Sequence, residues 1–161
     1  MTRKEYNESV NLYADNVFRF IVKNLKDEDK AKDIVQDTYE KLWYKSETVS
    51  FSKVKSYLFS TAYHTMIDYI RKDKRTTELD AINYNEYAHS EQYSDLNEIL
   101  HQAINQLPED QKSVVLLRDY EGYSYKEISE ITGLNEAQVK VYIYRARVFL
   151  KKYIGSLETV I

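Results

Sequence analysis

Residues 124–152 read SYKEISEITGLNEAQVKVYIYRARVFLKK, and the reading of this stretch decides the fold. Tyr125, Ile128 and Ile131 give a first helix an apolar stripe, and Ser129 is small enough to let a second helix cross it closely. Gly133 makes the turn and Asn135 is a good N-cap. Val139, Ile143, Ala146 and Leu150 then fall on one buried face of a second helix, leaving Gln138, Lys140, Val141, Tyr144, Arg145 and Val148 outside the seam. From Ala137 to Leu157 there is no acid, while Lys140, Arg145, Arg147, Lys151 and Lys152 supply five positive charges in a chain whose net charge is −3. In a helix-turn-helix the second helix enters the major groove with its early turns on base edges, so Gln138 to Arg145 are candidate readers. A helical hairpin with a solvated basic face fits the same turn pattern.

Working outward, 161 residues with 43% apolar and 30% charged side chains suit one ordinary globular domain or two small ones. There is no cysteine, and His64, His89 and His101 lie in separate segments without metal-ligand spacing. A disulfide framework, a thiolate zinc site and a metal or thiol enzyme are therefore not expected, nor is any cofactor. The N-terminus, MTRKEYNESV, lacks the apolar run of a signal peptide. No stretch approaches the ~18 apolar residues of a membrane span, so no membrane insertion and a cytoplasmic location are expected.

One proline, three glycines and apolar residues recurring at helical intervals make the class all-α. Ala14, Val17, Phe18, Ile21 and Leu25 share a face over residues 10–25, as do Ala31, Ile34, Val35, Thr38 and Leu42 over 30–44. After a polar break at 45–52, where Ser52 is a candidate cap, Val54, Tyr57, Leu58, Thr61, Ala62 and Thr65 mark a third helix running to about Arg71. These three helices can bury one small core.

Residues 1–75 carry 15 basic and 12 acidic side chains, residues 76–97 carry 0 and 5, and residues 98–161 carry 8 and 9. The middle segment has weak periodicity and reads as an acidic linker. A second helical unit starts near Asp95, with Leu96, Ile99, Leu100, Ala103, Ile104 and Leu107 in register. Pro108 then stands at a favourable first helical position before the apolar run Val114–Leu117, and Gly122 ends that helix.

In the first unit, Asp33, Gln36, Asp37 and Glu40 form a polar, mostly acidic stripe opposite the apolar face of the second helix, which a solvated surface also explains. The third helix and its exit, YLFSTAYHTMIDYIRKDKR, mix Tyr57, Phe59, Tyr63, His64 and Tyr69 with Arg71, Lys72, Lys74 and Arg75. Aromatics beside cations suit single-stranded nucleic acid, because each base offers a face to stack and each phosphate a charge to neutralise. With 16 tyrosines in the chain, ordinary core packing accounts for many of them.

The segments DIVQDTYEKLW, YLFSTAYHTMIDYIRK and LPEDQKSVVLLRDYEGYSYKEISEITGLNEAQVKVYIYRARVFL, in this order and spacing, resemble the extracytoplasmic-function (ECF) group of bacterial RNA polymerase sigma factors. The resemblance spans roughly residues 8–153, and three separate motifs agree.

The resemblance implies two small helical domains joined by an acidic flexible linker: an N-terminal one over 8–75, the linker over 76–94, and a C-terminal one over 95–155 ending in the helix-turn-helix. It implies a transcription initiation factor, not an enzyme, that joins core RNA polymerase, directs it to promoter DNA and helps open the duplex. Asp33, Gln36, Asp37 and Glu40 would meet the clamp coiled coil of the polymerase's largest subunit. Tyr57, Tyr63, His64, Arg71, Lys72, Lys74 and Arg75 would capture the melted minus-10 element. Gln138, Lys140, Val141, Tyr144, Arg145 and Arg147 would read or grip the minus-35 element, and the linker would thread the polymerase's RNA path. An anti-sigma partner is also expected. His64 stands where the family commonly has asparagine, Gln138 where threonine is usual and Tyr142 where arginine is usual, so the sequences read are open. The rival is a stand-alone helix-turn-helix regulator, which would need only the last 65 residues or so. A nucleic-acid enzyme is disfavoured because no carboxylate cluster, catalytic triad or phosphate-cradling glycine loop is present.

Overall fold

The computed structural model describes residues 1–80 and 96–158, and among them every regular element is helical. Helix α1 spans Arg3–Leu25, α2 Glu28–Tyr44 and α3 Val54–Asp80, with a 3₁₀ turn at Phe51–Lys53 leading into α3. Helices α4 (Leu96–Asn105), α5 (Glu109–Val115), α6 (Tyr125–Thr132) and α7 (Glu136–Glu158) follow.

Local chemistry explains the ends. Helix α1 begins well before its apolar periodicity because Thr2 and Glu5 form a reciprocal capping box, in which Glu5 N–H donates to Thr2 Oγ1 (3.1 Å) and Thr2 N–H to Glu5 Oε1 (2.8 Å). It ends at Lys26, whose φ of 60° places a non-glycine residue in the left-handed region. Asp27 then caps α2 through Lys30 N–H. The expected Ser52 cap does not form: Ser50 precedes the 3₁₀ turn, and its hydroxyl meets that of Ser52 at 3.1 Å rather than the backbone. Helix α3 continues past Arg71 to Asp80, since 72–80 contain no glycine or proline to stop it. The acidic linker expected over 76–94 thus starts helical, and from residue 81 to 95 it lies outside the described residues. Pro108 is the N-cap of α5, one position before its expected place. Leu116–Tyr120 continue α5 as a π-turn, and Gly122 at φ 77° carries the chain out.

Helices α1, α2 and α3 pack on one another, and α4, α5 and α6 pack on α7. The core does not stop between the two groups. One buried cluster runs from Val17, Phe20 and Ile21 through Leu58, Phe59 and Met66 to Leu117, Tyr123, Ile128, Ile131 and Ile143. Phe59 is its hinge point: its ring lies 5.7 Å from that of Phe20 and 5.2 Å, at 70°, from that of Tyr123. Lys55 Nζ sits 4.7 Å from the centre of the Tyr123 ring. Polar bonds cross the same junction. Lys112 Nζ donates to Asn24 O (2.6 Å), Ser113 Oγ donates to Asn24 Oδ1 (3.1 Å), and Arg19 pairs with Glu121 at 3.3 Å. Burial pushes the Lys112 ammonium below its ordinary range, and its hydrogen bond to a carbonyl supplies a partner but no opposite charge.

Because Phe59 touches rings on both sides of this junction, Phe59→Ala should remove about 3–5 kcal/mol of stability. Urea unfolding checks this, and a loss under about 1 kcal/mol would mean the cluster closes over the gap and bears little of the fold.

Candidate nucleic-acid interface

The C-terminal surface is built from two caps and a tight turn. Helix α6 opens with a capping box in which Glu127 N–H donates to Ser124 Oγ (3.1 Å) and Ser124 N–H to Glu127 Oε1 (2.9 Å). Those bonds hold the Glu127 carboxyl below its usual range. Gly133 turns the chain at φ 83°, and Ser129 Oγ donates to Leu134 O at 2.6 Å, tying α6 to the turn. Asn135 and Gln138 then form a second reciprocal box, with Gln138 N–H on Asn135 Oδ1 (2.8 Å) and Asn135 N–H on Gln138 Oε1 (3.0 Å). Val139, Ile143 and Ala146 are buried, which aims the opposite face of α7 outward.

On that face Gln138, Lys140 and Arg145 are exposed, with Val141 at 42% and Tyr144 at 69% of full exposure. Asn135, Gln138, Val141, Tyr142 and Arg145 border a shallow groove of about 330 Å³. The carbonyl of Gln138 is already committed to the cap, leaving its amide NH₂ to face a partner. Lys140 Nζ lies 5.6 Å over the Tyr125 ring. Arg147 is held by Asp119 through two bonds, Nη2–Oδ1 at 2.6 Å and Nε–Oδ2 at 3.2 Å. Sequence reading missed this pair, since no periodicity links residues 28 apart.

The surface of α3 is lined differently. His64 is exposed, and its Nδ1 lies 2.8 Å from Ser60 O; a carbonyl only accepts, so Nδ1 carries the hydrogen and Nε2 is left outward. Tyr57, half-buried, shares a groove of about 340 Å³ with Lys41, Lys45, His64, Thr65 and Asp68. Lys41 Nζ donates to Thr65 Oγ1 at 3.2 Å, so a cation from α2 is drawn to the rim of α3. Tyr63 departs from its expected place among the strand-capturing residues. It is 5% exposed and stands edge-on to the His64 ring at 5.2 Å, so its face is packed rather than offered to a base. Burial, and then the carboxylates of Asp110 and Glu109, push its phenol up to about 12. Arg71, Lys72 and Lys74 are exposed in the last third of α3, and the side chain of Arg75 lies outside the described residues.

On α2, Asp33, Gln36, Asp37 and Glu40 are all exposed and line one wide groove of about 520 Å³ against α3. Lys41 approaches Asp37 at 3.7 Å, one turn on. Trp43 (51% exposed) and Tyr44 (77%) extend this side of α2, and sequence reading did not single them out. Both follow the stripe by one turn, a signal it had available. Trp43 is propped by the Tyr6 ring at 5.2 Å, itself anchored by Tyr6 Oη donating to Tyr39 O at 3.0 Å.

No group of described residues is arranged to hold a metal ion, and no described helix is long and apolar enough to cross a membrane.

Residues 10–76 match the family model for Sigma-70 region 2, and residues 97–150 match that for Sigma-70, region 4. The chain is 33% identical over 137 residues to the RNA polymerase sigma factor SigV of Bacillus subtilis, covering 83% of this chain and 81% of SigV. It is 30% identical over 151 residues to YlaC, an RNA polymerase sigma factor of the same organism, covering 87% and 86%. Among solved structures, the sigma factor RpoE of Bartonella quintana, in complex with the anti-sigma factor NepR, superposes with a TM-score of 0.80 at 27% identity over 94% of this chain and 98% of RpoE. With two family regions in order on one helical chain and relatives matched over most of their length, the protein belongs to the ECF group of RNA polymerase sigma factors, which direct the polymerase to promoters.

Proposed function

We propose that the three surfaces divide the work of initiation: α2 holds core polymerase, α3 captures the melted minus-10 strand, and α7 reads the minus-35 element. The observation that carries this reading is their coexistence on one chain, with an aromatic and basic trough on α3 and an exposed, acid-free face on α7. A stand-alone regulator has no use for the first. Residues 8–75 form the polymerase and minus-10 unit, 76–94 the connecting segment and 95–155 the minus-35 unit. The protein acts in the cytoplasm, makes and breaks no bond, and is held inactive by an anti-sigma factor, as the likeness to RpoE in its NepR complex supports.

Asp33, Gln36, Asp37 and Glu40 are acceptor-rich and exposed, so they fit a basic coiled coil on the largest subunit's clamp. Trp43 and Tyr44 would add apolar area at the end of the same helix. Promoter opening gives up stacking, a few kcal/mol for an extruded base, and aromatic stacking returns about 1–3 kcal/mol per base. That magnitude traps an opening without driving it alone. Tyr57 and His64 supply the stacking and edge contacts, buried Tyr63 fixes the His64 ring, and Lys41, Arg71, Lys72 and Lys74 neutralise phosphates. On α7, Val141 suits a thymine methyl, Lys140 and Arg145 suit guanine, and Asp119 pre-orients Arg147 toward the backbone. Two modest sites on one polymerase then add specificity through effective concentration.

Reversing charge at Asp33 and Asp37 together, Asp33→Lys and Asp37→Lys, should abolish co-elution with core polymerase while leaving helicity intact, because both side chains are exposed. Unchanged co-elution would remove α2 from the contact.

His64→Ala or Tyr57→Ala should reduce open-complex formation on duplex promoters by roughly ten- to a hundredfold, the equivalent of one lost stacking contact. Closed-complex binding should hardly change. Permanganate footprinting beside gel shifts separates the two steps, and equal losses in both would assign these residues to folding.

Lys140→Ala or Arg145→Ala should relax preference at particular promoter positions by about 1–3 kcal/mol. Arg147→Ala or Lys151→Ala should weaken all sequences alike and lower the salt slope by about one. Promoter-library transcription at two salt concentrations measures both, and uniform losses for the first pair would mean that α7 grips DNA without reading it.

A further inference from the structure

Three cations of the C-terminal helices converge on one ring. Arg118, in the turn that continues α5, has its guanidinium carbon 4.6 Å from the centre of the Tyr125 ring. Lys140, early in α7, has its Nζ 5.6 Å from the same centre. Arg147 stands two turns further along that face of α7, gripped by Asp119. Tyr125 is the first residue of α6 and half-buried, with part of its ring packed against the core. We propose that Tyr125 is a positioning residue of the minus-35 surface, which from α6 holds Arg118, Lys140 and Arg147 as one preset cluster for DNA. This inference rests on the reading of α7 as the DNA face.

The cluster benefits from such a centre. Lys140 and Arg147 are long and exposed, and an unrestrained side chain of this kind gives up rotamer freedom when it binds. Like charges gathered in one place also repel. An aromatic face answers both problems, because its negative quadrupole attracts a cation within about 6 Å while the ring itself stays uncharged and does not repel a phosphate. Two of the three cations are tethered at a second point: Arg118 Nη1 donates to Tyr123 O at 2.9 Å, and Arg147 makes its two bonds to Asp119. The Asp119 bonds, and to a smaller degree the field and hydroxyl of Tyr125, hold the Arg147 guanidinium above its ordinary range in spite of desolvation. Tyr125 thus acts on Arg118 and Lys140 through its ring and on Arg147 through its hydroxyl.

The ring is also carried on a rigid seam. The capping box of Ser124 and Glu127 fixes the turn of α6 in which Tyr125 stands. Ile128 and Ile131 of α6 share the buried cluster with Val139 and Ile143 of α7, so the distance from Tyr125 to the cations of α7 is set by packing.

The test is a pair of double-variant cycles on holoenzyme, read by anisotropy with a labelled duplex taken from the best-bound members of a promoter library. Tyr125→Leu keeps an apolar side chain against the core but removes the ring. It should weaken duplex binding about three- to tenfold, since each cation–ring contact at an exposed site is worth about two- to fivefold. Joined to Lys140→Ala, it should bind at least about twofold better than the product of the two single losses, because a ring with no Lys140 to hold has less to lose. Tyr125→Phe keeps the ring and removes the hydroxyl, so its loss should couple to Arg147→Ala and multiply with Lys140→Ala. Losses that multiply in both cycles would overturn the proposal and make Tyr125 a direct DNA contact or a packing residue. Should Tyr125→Leu unfold, the Tyr125→Phe cycle with Arg147→Ala decides alone. If Lys140→Ala and Arg147→Ala leave duplex binding unchanged, the reading of α7 fails and the positioning role with it. If they weaken binding while both Tyr125 variants bind as wild type, the positioning role alone falls.

Discussion

The contact of Tyr123 with Phe59 is the constraint on which the rest of the molecule depends. Phe59 sits where α1 and α3 meet, through Phe20, and Tyr123 brings the start of α6 to the same point. With that edge-on pair in place, α6 lies across α3, α7 is seated on α6, and the face of α7 bearing Lys140, Tyr144 and Arg145 is turned to solvent. A ring buried in this way contributes dispersion and area that neither half can recover from water alone. The cost is visible in the phenol: burial holds the Tyr123 hydroxyl far above its usual range, and the hydroxyl finds no partner.

Two other tyrosines, Tyr6 and Tyr39, have their polar ends accounted for. Tyr39 Oη donates to Ser9 O at 2.9 Å and Tyr6 Oη to Tyr39 O at 3.0 Å, so two rings staple α1 to α2 while their hydroxyls satisfy backbone carbonyls. Against that pattern the orphaned Tyr123 hydroxyl marks the junction between the halves as the place where full satisfaction was given up. A buried donor without a partner costs about 1–3 kcal/mol, a moderate cost that weakens closure without preventing it.

Charge is arranged on the same principle of local difference. A chain of net charge −3 repels DNA on average, and its binding depends on where the cations stand. The acids Asp33, Asp37 and Glu40 of α2 share one exposed stripe, four cations of α3 stand close together at Arg71, Lys72, Lys74 and Arg75, and α7 carries cations with no acid from Ala137 to Leu157. Two acids intrude on this order from neighbouring elements. Asp119 grips Arg147 and restrains a side chain that would otherwise be free on its stem. Glu130 lines a neighbouring groove with Lys53 and Tyr57.

What the sequence by itself determined was much of what depends on neighbours along the chain, though not the cap before α3 or the point where α3 ends. The helical class, the buried faces of α1, α2, α6 and α7, the Gly133 turn and the Asn135 cap were all legible, because periodicity and capping act over a few residues. Family resemblance added the order of the surfaces. Tertiary structure alone decided which aromatic rings face outward. Tyr57, Tyr63 and His64 look alike in a list of candidates, yet Tyr63 is buried with its ring edge-on to that of His64, while His64 itself is exposed. It alone also decided how the halves meet. The bond from Lys112 to Asn24 joins residues 88 apart and that from Arg147 to Asp119 residues 28 apart, and no local pattern encodes either. Such contacts arise from shape and polarity matched between surfaces, a property of the folded arrangement that the letters along any single helix do not carry.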